Sequence, residues 1–338
     1  MKNKKDFLIV ILILLLISCS NSSNYKNNFI GITVYRTDDL FANSIKNNIS
    51  KFISGKAKYI IKDSKNNQTI QNEQIDDYIS KGVKVLVINL VDPEAAENVI
   101  SKAKAYNIPL ILFNKAPDFN VMSSYNKVWY VGTTSKEVSD LQGEIILNNW
   151  TNNASLDKNN DGKIQCVIIK GEPGHIDAEI RSENVITFLN NNGVETDVLN
   201  IQTAMWNRKK ASEIMSSWMK NYESQIEYII CNNDSMALGA LSAIQNLGYN
   251  KGDSNKYIPI VGIDGTHESI KEIKNGAIVG TVLNDEILQA RAISDLAINL
   301  FNGHYNPISG TPWRLDNRKA VKIPYKAITI DNLENIEQ

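Results

Sequence analysis

The chain has 338 residues, 43% hydrophobic and 22% charged, with 36 Lys and Arg against 37 Asp and Glu. That near-zero balance leaves no basic footprint for nucleic acid, and a chain this apolar can bury a core, which excludes a disordered tail or a collagen-like scaffold. Three cysteines, Cys19, Cys166 and Cys231, make neither a disulfide framework nor a metal-ligand spacing, and the length suits about two domains.

The first residues read as an export signal. Lys2, Lys4 and Lys5 precede an uninterrupted apolar run of eleven residues, Phe7 to Ile17, too short to span a bilayer as a helix. Leu16-Ile17-Ser18-Cys19 follows and resembles a bacterial lipobox, which predicts cleavage after residue 18 and a lipid anchor on Cys19. An ordinary secretory signal cut nearby is the bland alternative. Removing residues 1–18 takes away three lysines and Asp6, leaving 33 positive against 36 negative side chains and a net charge of −3. Polar residues 19–28 then form a flexible tether to an exported protein held at the membrane surface.

From Phe29 onward, short apolar runs alternate with longer amphipathic segments, the pattern of βα units in a parallel sheet covered on both faces. Strands are predicted at 29–35, 58–62, 83–91 and 109–113, with helices at 41–52, 70–80 and 93–105 between them. Val83, Val85 and Val87 alternate with Leu86, Ile88 and Leu90, as a strand buried on both faces requires. After Tyr130-Val131-Gly132 and a helix at 135–150 the rhythm restarts, with strands at 166–170, 195–199, 228–231, 258–263 and 278–283. Helices are predicted at 178–190, 208–222, 236–247, 269–274 and 287–301. The pattern is two consecutive α/β wraps with a break between about Gly132 and Asp157.

Ligands of open α/β sheets sit beyond the carboxyl ends of the strands. Here those ends carry Asp38-Asp39-Leu40-Phe41, Asn114-Lys115, His175-Ile176-Asp177 with Arg181, Met205-Trp206, Asn232-Asn233-Asp234, Asp264 and Asn284-Asp285. None pairs a nucleophile with a base. Carboxylates and amides can accept from and donate to hydroxyls, and aromatic rings pack on C–H faces, so the set suits a pyranose. Each residue alone has a blander reading: Asp38, Asp39 and Asp285 as helix N-caps, Phe41 and Trp206 as core, Arg181 as a surface ion-pair residue. Their shared placement favours a site. His267 and His304 stand apart and read as surface.

Asp157, Asn159 and Asp161 alternate ahead of Gly162, with Lys163, Ile164 and Gln165 following. This is the spacing of an EF-hand calcium loop: side-chain oxygens at positions 1, 3, 5 and 9, a backbone carbonyl at 7 and glycine at 6. Position 12 is Ile168 rather than Glu, and the loop runs into a strand, so the bidentate carboxylate has to come from elsewhere. Glu227, just before the strand at 228–231, is the candidate. One bound calcium is expected, against the alternative of a plain Asn/Asp/Gly turn.

These residues, together with Asn89-Leu-Val-Asp-Pro93, Tyr130-Val-Gly-Thr133, Lys170-Gly-Glu-Pro-Gly-His175, Thr203-Ala-Met-Trp206 and Gly280-Thr-Val-Leu-Asn-Asp285, closely resemble the galactose/glucose-binding receptors among the type I periplasmic binding proteins. The resemblance covers the whole mature chain. It implies two Rossmann-like doubly wound domains joined by a three-segment hinge, here 26–133 plus 285–321 and 134–284 plus 322–338. It implies Asp39 on the hydroxyl that separates galactose from glucose, and Phe41 and Trp206 on the two ring faces. Asn114, His175, Asp177, Arg181, Asn233, Asp264 and Asn284 would take the remaining oxygens. Asp157, Asn159, Asp161, the Lys163 carbonyl, Gln165 and Glu227 would hold calcium.

The implied activity is binding rather than catalysis: a monomer that takes D-galactose or D-glucose, closes, and delivers it to an ABC importer permease. A sensory role at a chemoreceptor, or a receptor for another monosaccharide, uses similar residues. Neither G-x-G-x-x-G nor G-x-x-x-x-G-K-[ST] occurs to support a nucleotide enzyme, and a transcription regulator of this fold would begin with a helix-turn-helix rather than an export signal. The lipobox departs from freely diffusing members of the family.

Overall fold

The computed structural model describes residues 28–336, and over them the chain builds two six-stranded sheets. The predicted export signal and Cys19 lie outside the described residues. No helix among those described is long and apolar enough to cross a membrane.

The first sheet contains β1 (Ile30–Val34), β2 (Tyr59–Asp63), β3 (Val85–Ile88), β4 (Leu110–Phe113), β5 (Val128–Gly132) and β11 (Ala320–Lys322), ordered β11-β5-β4-β3-β1-β2. All its pairings are parallel. The second contains β6 (Ile164–Lys170), β7 (Thr196–Thr203), β8 (Tyr228–Cys231), β9 (Ile260–Val261), β10 (Gly280–Leu283) and β12 (Lys326–Thr329), ordered β12-β10-β9-β8-β6-β7. It repeats the first sheet's topology, except that β12 runs antiparallel to β10.

Period-two burial explains the layering. Val85 and Val87 of β3 join one core cluster, while Leu86 and Ile88 join another on the opposite face. A strand with four buried residues and helices on both sides has no polar face to offer. The edge strands β2 and β7 are only partly buried, and their sequences are correspondingly mixed. Helix α1 (Leu40–Ile53) turns Ala42, Ile45, Ile49 and Ile53 inward at helical spacing.

The remaining helices are α2 (Gln68–Ser80), α3 (Ala96–Ala105), α4 (Phe119–Met122), α5 (Ser135–Thr151), α6 (Ile176–Asn191), α7 (Arg208–Tyr222), α8 (Asp234–Gln245), α9 (His267–Lys274) and α10 (Glu286–Phe301). The chain passes between the sheets three times: after β5, after β10, and between β11 and β12. α5 already packs on the second sheet and α10 returns to pack on α1, so the first change of sheet falls immediately after Gly132.

Differences from expectation have local causes. The helix predicted from Pro93 opens as a 3-10 turn, Pro93–Ala95, before α3. The strand predicted at 258–263 narrows to Ile260–Val261. β11, β12 and α4 were not anticipated, because three or four residues are too few to display a period.

Candidate functional site

All ten residues expected at a binding site line one cleft between the two sheets, joined by an eleventh, Tyr35. The first domain supplies Tyr35 from the end of β1, Asp39 and Phe41 from the start of α1, and Asn114 from the end of β4. Asp39 is a helix N-cap as well as a cleft residue: its Oδ1 accepts the Ala42 N–H at 2.8 Å. Asn114 stands in the left-handed region with φ +63°, and its carbonyl accepts from Tyr130 Oη at 2.7 Å. Neighbouring Asp38 points elsewhere and pairs with Arg36 at 2.8 Å.

The second domain closes the cleft from the opposite side. Met205 and Trp206 both adopt positive φ, +56° and +62°, after β7. The indole then lies against Gly171, where an added Cβ would come within 2.3 Å of the ring. Glycine is required there because any side chain would displace Trp206. His175 meets the indole edge-on, with centroids 5.2 Å apart and planes at 76°.

His175 caps α6 through Nδ1, which accepts the Asp177 N–H at 3.2 Å. That assignment leaves the proton on Nε2 of the neutral ring. Burial lowers the imidazole pKa, and Lys115 and Arg181 lower it further against the opposing charges of Asp177 and Glu172. Arg181, buried on α6, donates through Nη1 to the Asn232 carbonyl at 2.8 Å and through Nη2 to Tyr325 Oη at 3.4 Å. Its Nε is buried without a protein partner.

Asn233 caps α8, accepting the Met236 N–H at 2.9 Å. Asp264 follows β9 with φ +129°. Burial raises its pKa well above the carboxylate range; Arg181 opposes the rise, and the carboxylate of Asp234 adds to it. Asp234 itself is pushed up to about 6 by burial, against hydrogen bonds from Thr281 and Thr266. Asn284 accepts from Gln289 Nε2 at 2.6 Å.

The cleft therefore presents three aromatic side chains, Tyr35, Phe41 and Trp206, with carboxylates, amides, an imidazole and a guanidinium, and no nucleophile held against a base. Tyr35 was missed because it was read only as the last residue of a strand; its place at a carboxyl end was the available signal. His267 and His304 are exposed, as expected. Cys166 and Cys231 are buried in adjacent strands, where burial pushes the Cys166 thiol up to about 12 and raises that of Cys231 as well.

The expected calcium loop folds around its own oxygens. Asp157 Oδ1 and Oδ2 accept the N–H groups of Asp161 and Gly162, and Asp161 Oδ2 accepts from Gln165 Nε2 at 2.8 Å. Gly162 has φ +75° at the sharp turn. Glu227 arrives from 62 residues beyond Gln165, its two oxygens accepting the backbone N–H groups of Lys158 (2.6 Å) and Gln165 (3.1 Å). Burial raises the Glu227 pKa, and nearby Asp157 contributes to the rise. Among the described residues no group of three His, Cys, Asp or Glu side chains is disposed to hold a metal on its own. The loop's donors, however, include amide and carbonyl oxygens, and Gln165 Oε1 is buried without a partner. An oxygen-only donor set with one such atom fits a hard cation.

Two doubly wound domains facing each other across a polar, aromatic-walled cleft define a two-domain receptor that encloses a small ligand. A family model described as "Periplasmic binding protein domain" matches residues 30–304, and the chain belongs to that family of binding proteins. It is 44% identical over 317 residues to the D-galactose/methyl-galactoside binding periplasmic protein MglB of Haemophilus influenzae, covering 93% of each chain. It is 24% identical over 302 residues to the ribose import binding protein RbsB of Bacillus subtilis, covering 89% of this chain and 90% of that one. Both relatives are named as binding proteins, the second in ribose import, and neither as an enzyme. Among solved structures, a Bacillus halodurans ABC transporter solute binding protein with bound myo-inositol superposes with a TM-score of 0.76 at 23% identity. That match covers 93% of this chain and 98% of the other, and establishes likeness of fold.

Proposed function

We propose that this protein is an extracytoplasmic sugar receptor that binds D-galactose or D-glucose between its domains, closes around it, and presents it to an ABC importer permease. The observation that carries this reading is the composition of the cleft: Phe41 and Trp206 from opposite domains, with hydrogen-bonding side chains between them. Aromatic faces suit the C–H faces of a pyranose, and hydroxyls find both donors and acceptors. Buried Arg181 Nε has no protein partner, so a ligand oxygen is its natural acceptor.

Asp39, Asn114, His175, Asp177, Arg181, Asn233, Asp264 and Asn284 would share the ring oxygens. Neutral His175 would donate from Nε2, and Asp264, its pKa raised by burial, would meet a hydroxyl either as acceptor or as donor. The domains would be 26–133 plus 285–321 and 134–284 plus 322–338, turning about the three chain crossings. The ligand favours the closed form because residues of both domains touch it only there.

Asp157, Asn159, Asp161, the Lys163 carbonyl, Gln165 and Glu227 would hold one calcium ion. When bound, the ion supplies structural cross-linking between the loop and the segment ahead of β8. The chain would work as a monomer, exported by residues 1–18, lipidated at Cys19 and tethered through residues 19–28.

Calorimetric titration with galactose, glucose, ribose and myo-inositol tests the reading. One equivalent of galactose or glucose should bind more tightly than ribose or myo-inositol. Absence of heat with both hexoses, or preference for ribose, would overturn it.

A further inference from the structure

One contact bridges the cleft at its rim without belonging to the ligand-lining set. Asn66, in the turn after β2 of the first domain, donates from Nδ2 to Glu172 Oε1 at 3.2 Å, and Glu172 stands in the turn after β6 of the second domain. The two residues are 106 positions apart in sequence and approach only because the domains face each other.

Both sides of this contact are prepared for it. Lys65 and Asn66 both sit in the left-handed region at φ +52°, a conformation that costs free energy for residues with side chains. The turn is held there by the Lys65 N–H on Asp63 Oδ1 at 2.8 Å and by the Asn66 N–H on the Tyr35 carbonyl at 2.6 Å. Tyr35 lines the cleft, and its ring lies 4.4 Å from the Lys115 ammonium, which donates to the Val91 carbonyl at 2.8 Å. Lys115 is 5% exposed, a charge of the first domain that has no carboxylate among its hydrogen-bond partners. Burial lowers the Lys115 pKa, and the carboxylates of Glu172, across the cleft, and of Asp39 and Asp92, in its own domain, oppose that. Glu172 Oε2 is buried without a hydrogen-bond partner, so this carboxylate gives up water on one oxygen while the other engages Asn66.

We propose that Glu172 is a closing latch: by hydrogen bonding to Asn66 across the cleft, it holds the domains together and sets how long the closed, loaded form lasts. The pair exists only when the domains meet, so it adds to the closed form alone and slows opening rather than entry. This rests on the reading of the cleft as a sugar site, and the experiment separates the two.

Galactose dissociation is measured by stopped-flow tryptophan fluorescence for the full chain and for Asn66→Ala, Glu172→Gln, Glu172→Ala and the Asn66→Ala/Glu172→Ala double variant. Dissociation should accelerate about 3- to 10-fold in each Glu172 variant, the size expected for loss of one ordinary, solvent-exposed hydrogen bond. Association should change less than twofold, and sugar-free melting temperatures should match the parent. The double variant should dissociate no faster than Glu172→Ala, because the two substitutions remove one shared interaction. Unchanged dissociation in both Glu172→Gln and Glu172→Ala, or fully additive effects in the double variant, would overturn the latch. Failure of the parent protein to bind any hexose would instead overturn the sugar reading.

Discussion

Asp39 illustrates how much a single cleft residue is asked to do. One carboxylate oxygen closes the first turn of α1 and the residue also lines the cleft. Asp39→Ala should therefore lose hexose binding and also destabilise the fold by about 0.5–2 kcal/mol, the usual cost of an N-cap. Asp39→Asn retains a capping oxygen, so it should melt like the parent yet still bind hexose at least tenfold more weakly; calorimetry and thermal melts together distinguish the two effects. Parent-like affinity in Asp39→Asn would remove Asp39 from the site.

His175 makes a prediction in pH. Its folded pKa is depressed, chiefly by burial, below the unfolded value of about 6.5. Protonation therefore favours the unfolded chain, so the contribution of this residue to stability is fully present above about pH 6.5 and is lost as pH falls through the folded value. Asp234 and Asp264 have raised pKa values and act with the opposite sign, stabilising the fold as pH falls. The measurable quantity is thus a difference: between pH 7 and pH 5 the parent should lose stability relative to His175→Asn. Parallel profiles would refute the neutral, buried imidazole.

At the scale of elements, the turns after the strands do the positioning. Gly171 admits the Trp206 indole, and consecutive positive-φ residues at Met205 and Trp206 aim it; neither requirement is visible in a hydrophobic pattern. The 157–165 loop is the element most open to a direct test. A cation that binds only the folded state stabilises it by about 2.7 kcal/mol at a hundredfold excess over its dissociation constant. Removing calcium with a chelator should therefore lower the melting temperature by several degrees, and Asp157→Asn should abolish the response. Coincident melting curves with calcium and with chelator would mean that the loop is an ordinary Asx turn.

The whole molecule is two copies of one topology, joined where the chain crosses three times. The first and third crossings are laced together: Ile323 N–H donates to the Gly132 carbonyl at 2.8 Å, Lys322 Nζ to the Thr133 carbonyl at 2.9 Å, and Thr133 Oγ1 to Tyr325 Oη at 2.8 Å. Tyr325 also accepts from the cleft residue Arg181, which connects the hinge to the site. A hinge of three short segments permits rotation of rigid halves. Small-angle scattering should show a smaller radius of gyration with galactose than without it, and identical curves would exclude ligand-driven closure.

Sequence pattern by itself determined the two α/β wraps and the strands buried on both faces, which follow from local periodicity. The rule that ligands gather at carboxyl strand ends marked a wider polar and aromatic set, and the family motifs narrowed it to the ten cleft residues. Sequence pattern also marked the calcium spacing and left position 12 open. Only the tertiary structure decided that Tyr35 joins the cleft, that β11 and β12 go to different sheets, and that Asn66 meets Glu172. Those facts depend on contacts between residues far apart in the chain, where each partner's environment is set by the packing of the other domain rather than by its own neighbours in sequence.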